Sequence, residues 1–90
     1  MKKTIITVVG HDQVGIIAKV CTYLAENQVN ILDIAQTIVS GYFNMMMIVD
    51  MNESKKEFGT FATVLESFGD NIGVVIKAQR EDIFDMMHHL

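Results

Sequence analysis

The chain has 90 residues, of which 50% are hydrophobic and 20% charged, and it contains a single cysteine and no proline or tryptophan. This length predicts one domain over residues 1–90, because domains usually contain about 100–150 residues, and the composition excludes disorder. A domain this small buries only about 60–65% of its unfolded surface. Part of the apolar content should therefore reach the surface, where a partner chain or a ligand would cover it.

The charge and cysteine counts exclude several kinds of partner. The net charge is −4 and the seven cations are scattered, whereas nucleic-acid binders cluster Lys and Arg against phosphates. Cys21 stands alone, so neither an internal disulfide nor a CxxC motif is expected, which favours a cytoplasmic location. The apolar run over residues 5–10 is too short for a signal peptide or a membrane span. We therefore expect no nucleic-acid and no membrane partner.

The first third of the chain predicts a strand, a loop and a helix. Residues 5–9 form a short apolar, β-branched run that ends at Gly10, which is typical of a buried strand. From Val14 the apolar residues recur at helical spacing. They are Ile17, Val20, Cys21, Leu24 and Ala25. The helix should end near Asn27 and Gln28, with Asn27 as the left-handed terminator.

The middle of the chain predicts a hairpin. Residues 29–39 are extended in character, although Gln36 interrupts their apolar face, and the Ser40-Gly41 pair is a turn signal between two β-rich runs. The partner strand, residues 42–51, alternates with one fully apolar face. That face carries Phe43, Met45, Met47, Val49 and Met51. Because Met46 and Ile48 make the other face partly apolar, this strand should lie centrally in its sheet.

The last third predicts a helix, a strand and a terminal helix. Ser54 and Glu57 match the capping box that begins a helix, and aromatic and leucine residues then recur at helical spacing up to a C-terminal Gly69. Residues 72–80 predict a strand with Val74 and Ile76 on one face. Residues 81–90 predict a short amphipathic helix whose acidic start and histidine end suit the helix dipole.

This order of elements predicts an α+β ferredoxin-like βαββαβ sandwich. Right-handed crossovers place both core helices on one face of a four-stranded antiparallel sheet, and the short C-terminal helix is an addition. The opposite face and the sheet edges then carry the surplus apolar residues. The terminal helix or a second copy of the chain is expected to cover them.

The loop over residues 10–15 is the most informative segment for function. Glycines at both ends permit a sharp exit from the strand and a close approach to the first helical turn, whose unpaired N–H groups attract an anion such as a carboxylate. Asp12 is a good N-cap residue and offers its own carboxylate to those N–H groups. A plain strand-to-helix turn therefore competes with a binding loop, since short glycine patterns are weak motifs.

Several segments together resemble the ACT domain family, in particular short prokaryotic proteins made of one ACT domain, similar to the modules of glycine-cleavage repressor-like regulators. They are residues 5–16 with the pattern Gly10-His11-Asp12-x-x-Gly15, residues 29–31, 35–37 and 42–46, and the ending over 83–88. The resemblance spans essentially the whole chain. It implies a regulatory module that binds an amino acid or similar small metabolite at a homodimer interface. An unidentified protein partner is a further expectation.

The resemblance also implies where a ligand would bind. The matching positions lie in the loop before the first helix and directly after that helix. They are His11, Asp12, Gln13, Val14, Gly15, Asn30 and Ile31. Many ACT loops carry a proline where this chain has Val14, so the loop should be less rigid.

Catalytic, metal and cofactor sites are not expected. His11 beside Asp12 lacks an obvious third catalytic partner, His88 and His89 are consecutive on a predicted helix and so do not face each other, and Cys21 belongs to an apolar stripe. Met45, Met46 and Met47 point to alternate faces and cannot converge on a soft metal. A dimerisation module without ligand, or a small enzyme on the same fold, remain the alternative functions.

Overall fold

The computed structural model describes residues 3–11 and 13–81, which form one four-stranded sheet and two helices. In chain order they are β1 (Lys3–His11), α1 (Ile16–Glu26), β2 (Asn30–Val39), β3 (Tyr42–Asp50), α2 (Phe58–Ile72) and β4 (Val74–Arg80). The strand order is β2-β3-β1-β4, and every neighbouring pair is antiparallel. The predicted ferredoxin-like βαββαβ fold is confirmed. The terminal helix was predicted over residues 81–90; Glu81 is helical, and residues 82–90 lie outside the described residues.

The core lies between the two helices and one face of the sheet, the helix-covered face. In β3 the residues on this face are buried and alternate with exposed or half-buried ones, as the period-two pattern predicted. In β1 the alternation is broken by Ile5, which lies on the other face and is also buried, at 6% exposed. The buried strand residues are Ile6, Val8, Phe43, Met45, Met47, Val49, Val74 and Ile76, and the helices contribute Ile16, Val20, Leu24, Phe61 and Leu65. Tyr23 stacks on Phe68 between the helices, with ring centroids 4.8 Å apart. Unbranched methionines suit such a core because they fill irregular gaps between larger groups.

The start of α1 and the identity of its left-handed terminator differ from the prediction, whereas the predicted end near Asn27 and Gln28 is confirmed. The helix begins at Ile16 instead of Val14, because Gly15 adopts a left-handed N-cap conformation with φ 87°. At the other end Asn27 keeps a negative φ of −99°, and Gln28 takes the left-handed conformation with φ 59°. Asn27 is held by its side chain, whose amide donates to the Tyr23 carbonyl oxygen at 2.9 Å.

The limits of α2 also correct the prediction. Glu57, not Ser54, is the N-cap: its carboxylate accepts from the Thr60 N–H at 2.7 Å, whereas Ser54 Oγ accepts from the Lys56 N–H at 3.2 Å. The helix continues past Gly69 to Ile72, and Gly73 is the left-handed C-cap with φ 82°. The predicted strand start at residue 72 was therefore wrong, since Ile72 is still helical.

The hairpin between β2 and β3 follows the turn prediction. Ser40 and Gly41 both have positive φ, of 52° and 81°, which is the requirement of the type I′ turn favoured in two-residue hairpins. The pairing runs from Val39 opposite Tyr42 to Asn30 opposite Asp50, with one irregularity between Ile31 and Asp33. The hairpin therefore places β2 at an edge of the sheet, beside a central β3.

Gly69 allows α2 to approach β4 closely, and this contact gives a stability prediction. A Cβ at position 69 would lie 2.7 Å from Ile76 Cγ1 and 2.9 Å from the Val74 carbonyl oxygen. Because neighbouring backbone would have to move, Gly69→Ala should lower the free energy of unfolding by about 1–3 kcal/mol. Equilibrium urea unfolding measures the change.

Gly59→Ala in the same helix is the matched control. A Cβ there would lie 3.0 Å from Glu57 Oε1, the capping oxygen held by Thr60, so that carboxylate has to shift slightly, while alanine favours helix over glycine by about 1 kcal/mol. Because no backbone has to move, Gly59→Ala should lower the unfolding free energy by less than Gly69→Ala. Equal losses for the two variants would contradict the close-approach explanation.

The Glu57 cap predicts an acid-sensitive contribution to stability. Hydrogen bonds from the Thr60 backbone N–H and hydroxyl lower the pKa of the Glu57 carboxyl below its ordinary value. A lowered folded-state pKa stabilises the fold above the unfolded pKa, and this contribution is lost as the pH falls through the folded pKa. Thermal melts should show Glu57→Gln less stable than the parent at neutral pH, with the difference shrinking as the pH falls through the lowered pKa of Glu57. A difference that grows on acidification would contradict the cap.

Candidate functional site

A groove runs between the start of α1 and the edge strand β2, on the helix-covered face. Its volume is about 450 Å³, and its walls come from the loop before α1, the first turn of α1 and the middle of β2. The lining residues are Gln13, Gly15, Ile16, Ile17, Ala18, Gln36, Ile38 and Phe43. Two of the predicted binding residues, Gln13 and Gly15, therefore border one concave surface.

The loop before α1 is anchored by a long-range hydrogen bond from Gln13, and its conformation depends on a glycine. Gln13 Nε2 donates to the Ile72 carbonyl oxygen at 2.9 Å, which ties the loop to the last turn of α2. Gly15 has φ 87°, a conformation that costs residues with a Cβ about 1–2 kcal/mol. No side chain among residues 3–11 and 13–81 caps α1, and N–H groups in a first helical turn attract anions.

His11 lies away from this groove. Residues directly opposite in an antiparallel pair point to the same face, and His11 lies opposite Tyr42. Their rings stack with centroids 4.8 Å apart, on the sheet face opposite the helices, here called the open face. Val14 is 99% exposed at the tip of the loop. Asp12, the remaining predicted residue of this loop, lies outside the described residues.

Asn30 and Ile31 lie at the end of β2 that is far from the groove. Asn30 begins β2, whereas the groove meets β2 at Gln36 and Ile38. Nine residue steps separate the two ends of β2, which corresponds to about 30 Å. One copy of the chain therefore does not bring the predicted loop residues together with Asn30 and Ile31.

Six of the groove's lining residues were missed as site candidates, and Gln36, Ile17 and Ile38 are the exposed ones with large side chains. Gln36 lies opposite Met45, a buried residue of the helix-covered face, so its exposed amide is turned towards α1. Ile17 and Ile38 are large apolar groups with 37% and 57% of their surface exposed. Gln36 interrupts the apolar pattern of β2, and this interruption was the sequence signal for the β2 wall of the groove. The opposite wall is formed by α1, and its position depends on how α1 packs on the sheet.

The titratable groups near the helices lack the features of a reactive centre. Cys21 is half-buried rather than fully buried, and burial raises the pKa of its thiol above 9.0, which disfavours the nucleophilic thiolate. Burial likewise raises the pKa of the Tyr23 hydroxyl above 10.0. Within the described part of the chain, His, Cys, Asp and Glu form no group of three that would hold a metal ion. No described helix is both long and apolar enough to cross a membrane.

Comparison with known proteins places this geometry in a family. Residues 2–79 match the family model described as "ACT domain". The chain is 61% identical to a UPF0237 protein of Bifidobacterium longum over the full length of both. An ACT domain protein from Streptococcus pneumoniae superposes with a TM-score of 0.83 at 42% identity, covering 93% of this chain and 94% of that one.

A more distant structure supports the fold alone. A protein described as a putative glycine cleavage system transcriptional repressor superposes with a TM-score of 0.75 at 21% identity. The match covers 88% of this chain and 45% of the repressor chain. The family match over residues 2–79 and the full-length relative together identify this chain as a member of the ACT domain family.

Proposed function

We propose that the protein is a homodimeric regulatory module that binds an amino acid, or a similar small metabolite, in a groove completed by the second copy. ACT domains are in general regulatory modules that bind small molecules. One observation carries the finer proposal: the predicted binding residues divide between the two ends of β2. A site made from both groups needs two chains.

The two edges of the sheet differ in a way that favours pairing through β2. Edge strands that avoid pairing carry charges, especially Lys, or proline. β2 has Asp33 as its one charged residue in ten, whereas the other edge, β4, carries Lys77 and Arg80. β2 also exposes Ile34, Ile38 and Val39 at 44%, 57% and 67%. A second β2 would satisfy its open hydrogen bonds and cover these side chains.

Antiparallel pairing of two β2 strands would bring the divided site together. A two-fold axis at the middle of β2 places the start of one strand beside the end of the other. Asn30 and Ile31 of the second copy would then lie near the groove that contains Gln13, Gly15 and Gln36. The dimer would then have two equivalent sites, each made of residues from both chains.

The groove chemistry suits an amino acid. The N–H groups of the first turn of α1 favour a carboxylate, since the positive end of the helix dipole lies there. Gln36 offers an amide that can donate and accept, and Ile17 and Ile38 provide apolar contact for a side chain. Asp12, from the sequence, is the carboxylate proposed to meet the ligand ammonium.

Disruption of the β2 edge should produce monomers. Ile38→Lys places a charge in the proposed apolar interface, where it would be desolvated on pairing. Sedimentation velocity at tens of micromolar should show a dimer for the parent chain and a monomer for this variant.

Val75→Lys provides the matched control for the edge substitution. Val75 is 54% exposed on the open face of β4, close to the 57% of Ile38. A dimer is expected for this variant. Dissociation by Val75→Lys, with Ile38→Lys still dimeric, would instead place the interface on the open face.

Ligand binding should depend on the backbone at Gly15. Titration calorimetry with the common amino acids at millimolar concentration should find one that binds. Gly15→Ala should weaken that ligand about tenfold or more, because an alanine resists the left-handed conformation that sets the first helical turn.

Gly41→Ala imposes comparable backbone strain outside the groove. Gly41 has φ 81° and no atom within 4 Å of the added Cβ, so binding should be retained. A dimer that binds no amino acid would support the alternative of an assembly module. Turnover of an acyl phosphate that is abolished by His11→Ala would support the enzyme alternative.

A further inference from the structure

We propose a second ligand site, for a small organic phosphate monoester, in a cleft at the opposite end of the sheet from the α1 groove. The cleft has a volume of about 680 Å³, within the range of about 300–1,000 Å³ typical of small-molecule sites. Its walls are the start of β1, the connection from β3 to α2 and the end of β4. No binding role was predicted for these segments.

The cleft concentrates positive charge on an acidic protein. Four of the seven cations of the chain line it, namely Lys3, Lys55, Lys56 and Arg80. They face two lining carboxylates, Glu57 and Glu81, while the whole chain carries a net charge of −4. Among the described residues that line the cleft, positive charges exceed negative ones by two, which suits a phosphate monoester with its charge of about −1.5 to −2 at neutral pH.

The Glu57 carboxylate is already occupied by its own helix. Glu57 Oε1 accepts from the Thr60 backbone N–H at 2.7 Å and from the Thr60 hydroxyl at 2.9 Å. Its negative charge therefore interacts with the positive end of α2. This arrangement reduces its competition with an anionic ligand for the lysines of the same cleft.

The connection from β3 to α2 is held in place before any ligand binds. Lys56 Nζ donates to Asn27 Oδ1 at 2.6 Å, and the Lys55 N–H donates to the Asn27 carbonyl oxygen at 3.1 Å. The Ser54 N–H also donates to the Met51 carbonyl oxygen at 3.1 Å. A wall anchored in this way loses little conformational freedom on binding, which favours affinity.

The floor of the cleft explains why the ligand should have an organic part. Thr4 and Met51 are 2% and 6% exposed, and the half-buried Phe58 ring lies beside them in the lining. The Thr4 hydroxyl donates to Met51 Sδ at 3.3 Å, and sulfur is a weak acceptor. An apolar body on this floor, with its phosphate towards the cations, would use both features.

Titration of the full-length, ¹⁵N-labelled protein with phenyl phosphate tests the proposal. Saturable shifts are expected at the amides of Ser54, Lys55 and Phe58, while the amides of Gly15 and Gly41 at the other end stay in place. Inorganic phosphate should bind about tenfold more weakly, because it lacks a group for the apolar floor. Failure of the amino-acid proposal leaves this result unaffected, since the two readouts concern opposite ends of the sheet.

Two substitutions that remove the same charge distinguish binding in the cleft from general electrostatic attraction to the protein. Lys55→Gln should weaken phenyl phosphate about three- to tenfold, as expected for one lost charge-assisted hydrogen bond. Lys77→Gln removes the same charge from the exposed part of β4, outside the cleft, and should change the affinity less than about twofold.

Three results would overturn the proposal. The first is the absence of saturable shifts around the cleft, and the second is equal weakening by Lys55→Gln and Lys77→Gln. The third is equal affinity for phenyl phosphate and inorganic phosphate, which would show that the apolar floor takes no part. Unchanged thermal stability of Lys55→Gln would exclude unfolding as the cause of its weaker binding.

Discussion

Two helices cannot cover four strands, and this shortage of helical surface determines the rest of the structure. The buried face of β3 is completely covered, with its alternate residues from Phe43 to Val49 at most 2% exposed. On β2, every residue from position 32 to 39 is exposed. The apolar surplus expected from the composition is therefore concentrated on one edge strand and on the open face. An edge strand this apolar, with one charge, is best stabilised by continuing the sheet.

The same strand also connects the two chemically distinct ends of the domain. At the end near the α1 groove, the described polar groups that line it are neutral: the amides of Gln13 and Gln36 and the uncapped N–H groups of a helix. At the other end the lining groups are mainly cationic. Antiparallel pairing through β2 would place the start of one strand beside the other copy's groove, so that unlike ends meet. Along each side of the extended sheet of the proposed dimer, the neutral end of one copy would lie next to the mainly cationic end of the other.

Local patterns predicted most of the fold, and errors arose where tertiary packing decides. The alternation in β3 and the Ser40-Gly41 turn follow from rules that act over a few residues. Gly69 was taken for a helix end, yet it is a point of contact with β4, and only the true cap Gly73 has a positive φ. The site was less predictable for the same reason. Residue spacing does not show that Gly15 and Asn30 lie at opposite ends of the domain, or that Gln36 lies opposite α1 across the groove.

Asn27 lies between the two proposed sites, because it contacts Lys56 of the phosphate cleft and precedes the start of β2. This buried residue follows the last turn of α1. Its Oδ1 accepts a hydrogen bond from Lys56 Nζ at 2.6 Å, and its Nδ2 donates to the Tyr23 carbonyl oxygen at 2.9 Å. It precedes by three positions the Asn30 that would complete the partner's groove. A phosphate that binds with the Lys56–Asn27 hydrogen bond intact would thus also stabilise the turn that positions Asn30. Because coupling between binding sites is reciprocal, an amino acid held through Asn30 would alter phosphate affinity by the same factor.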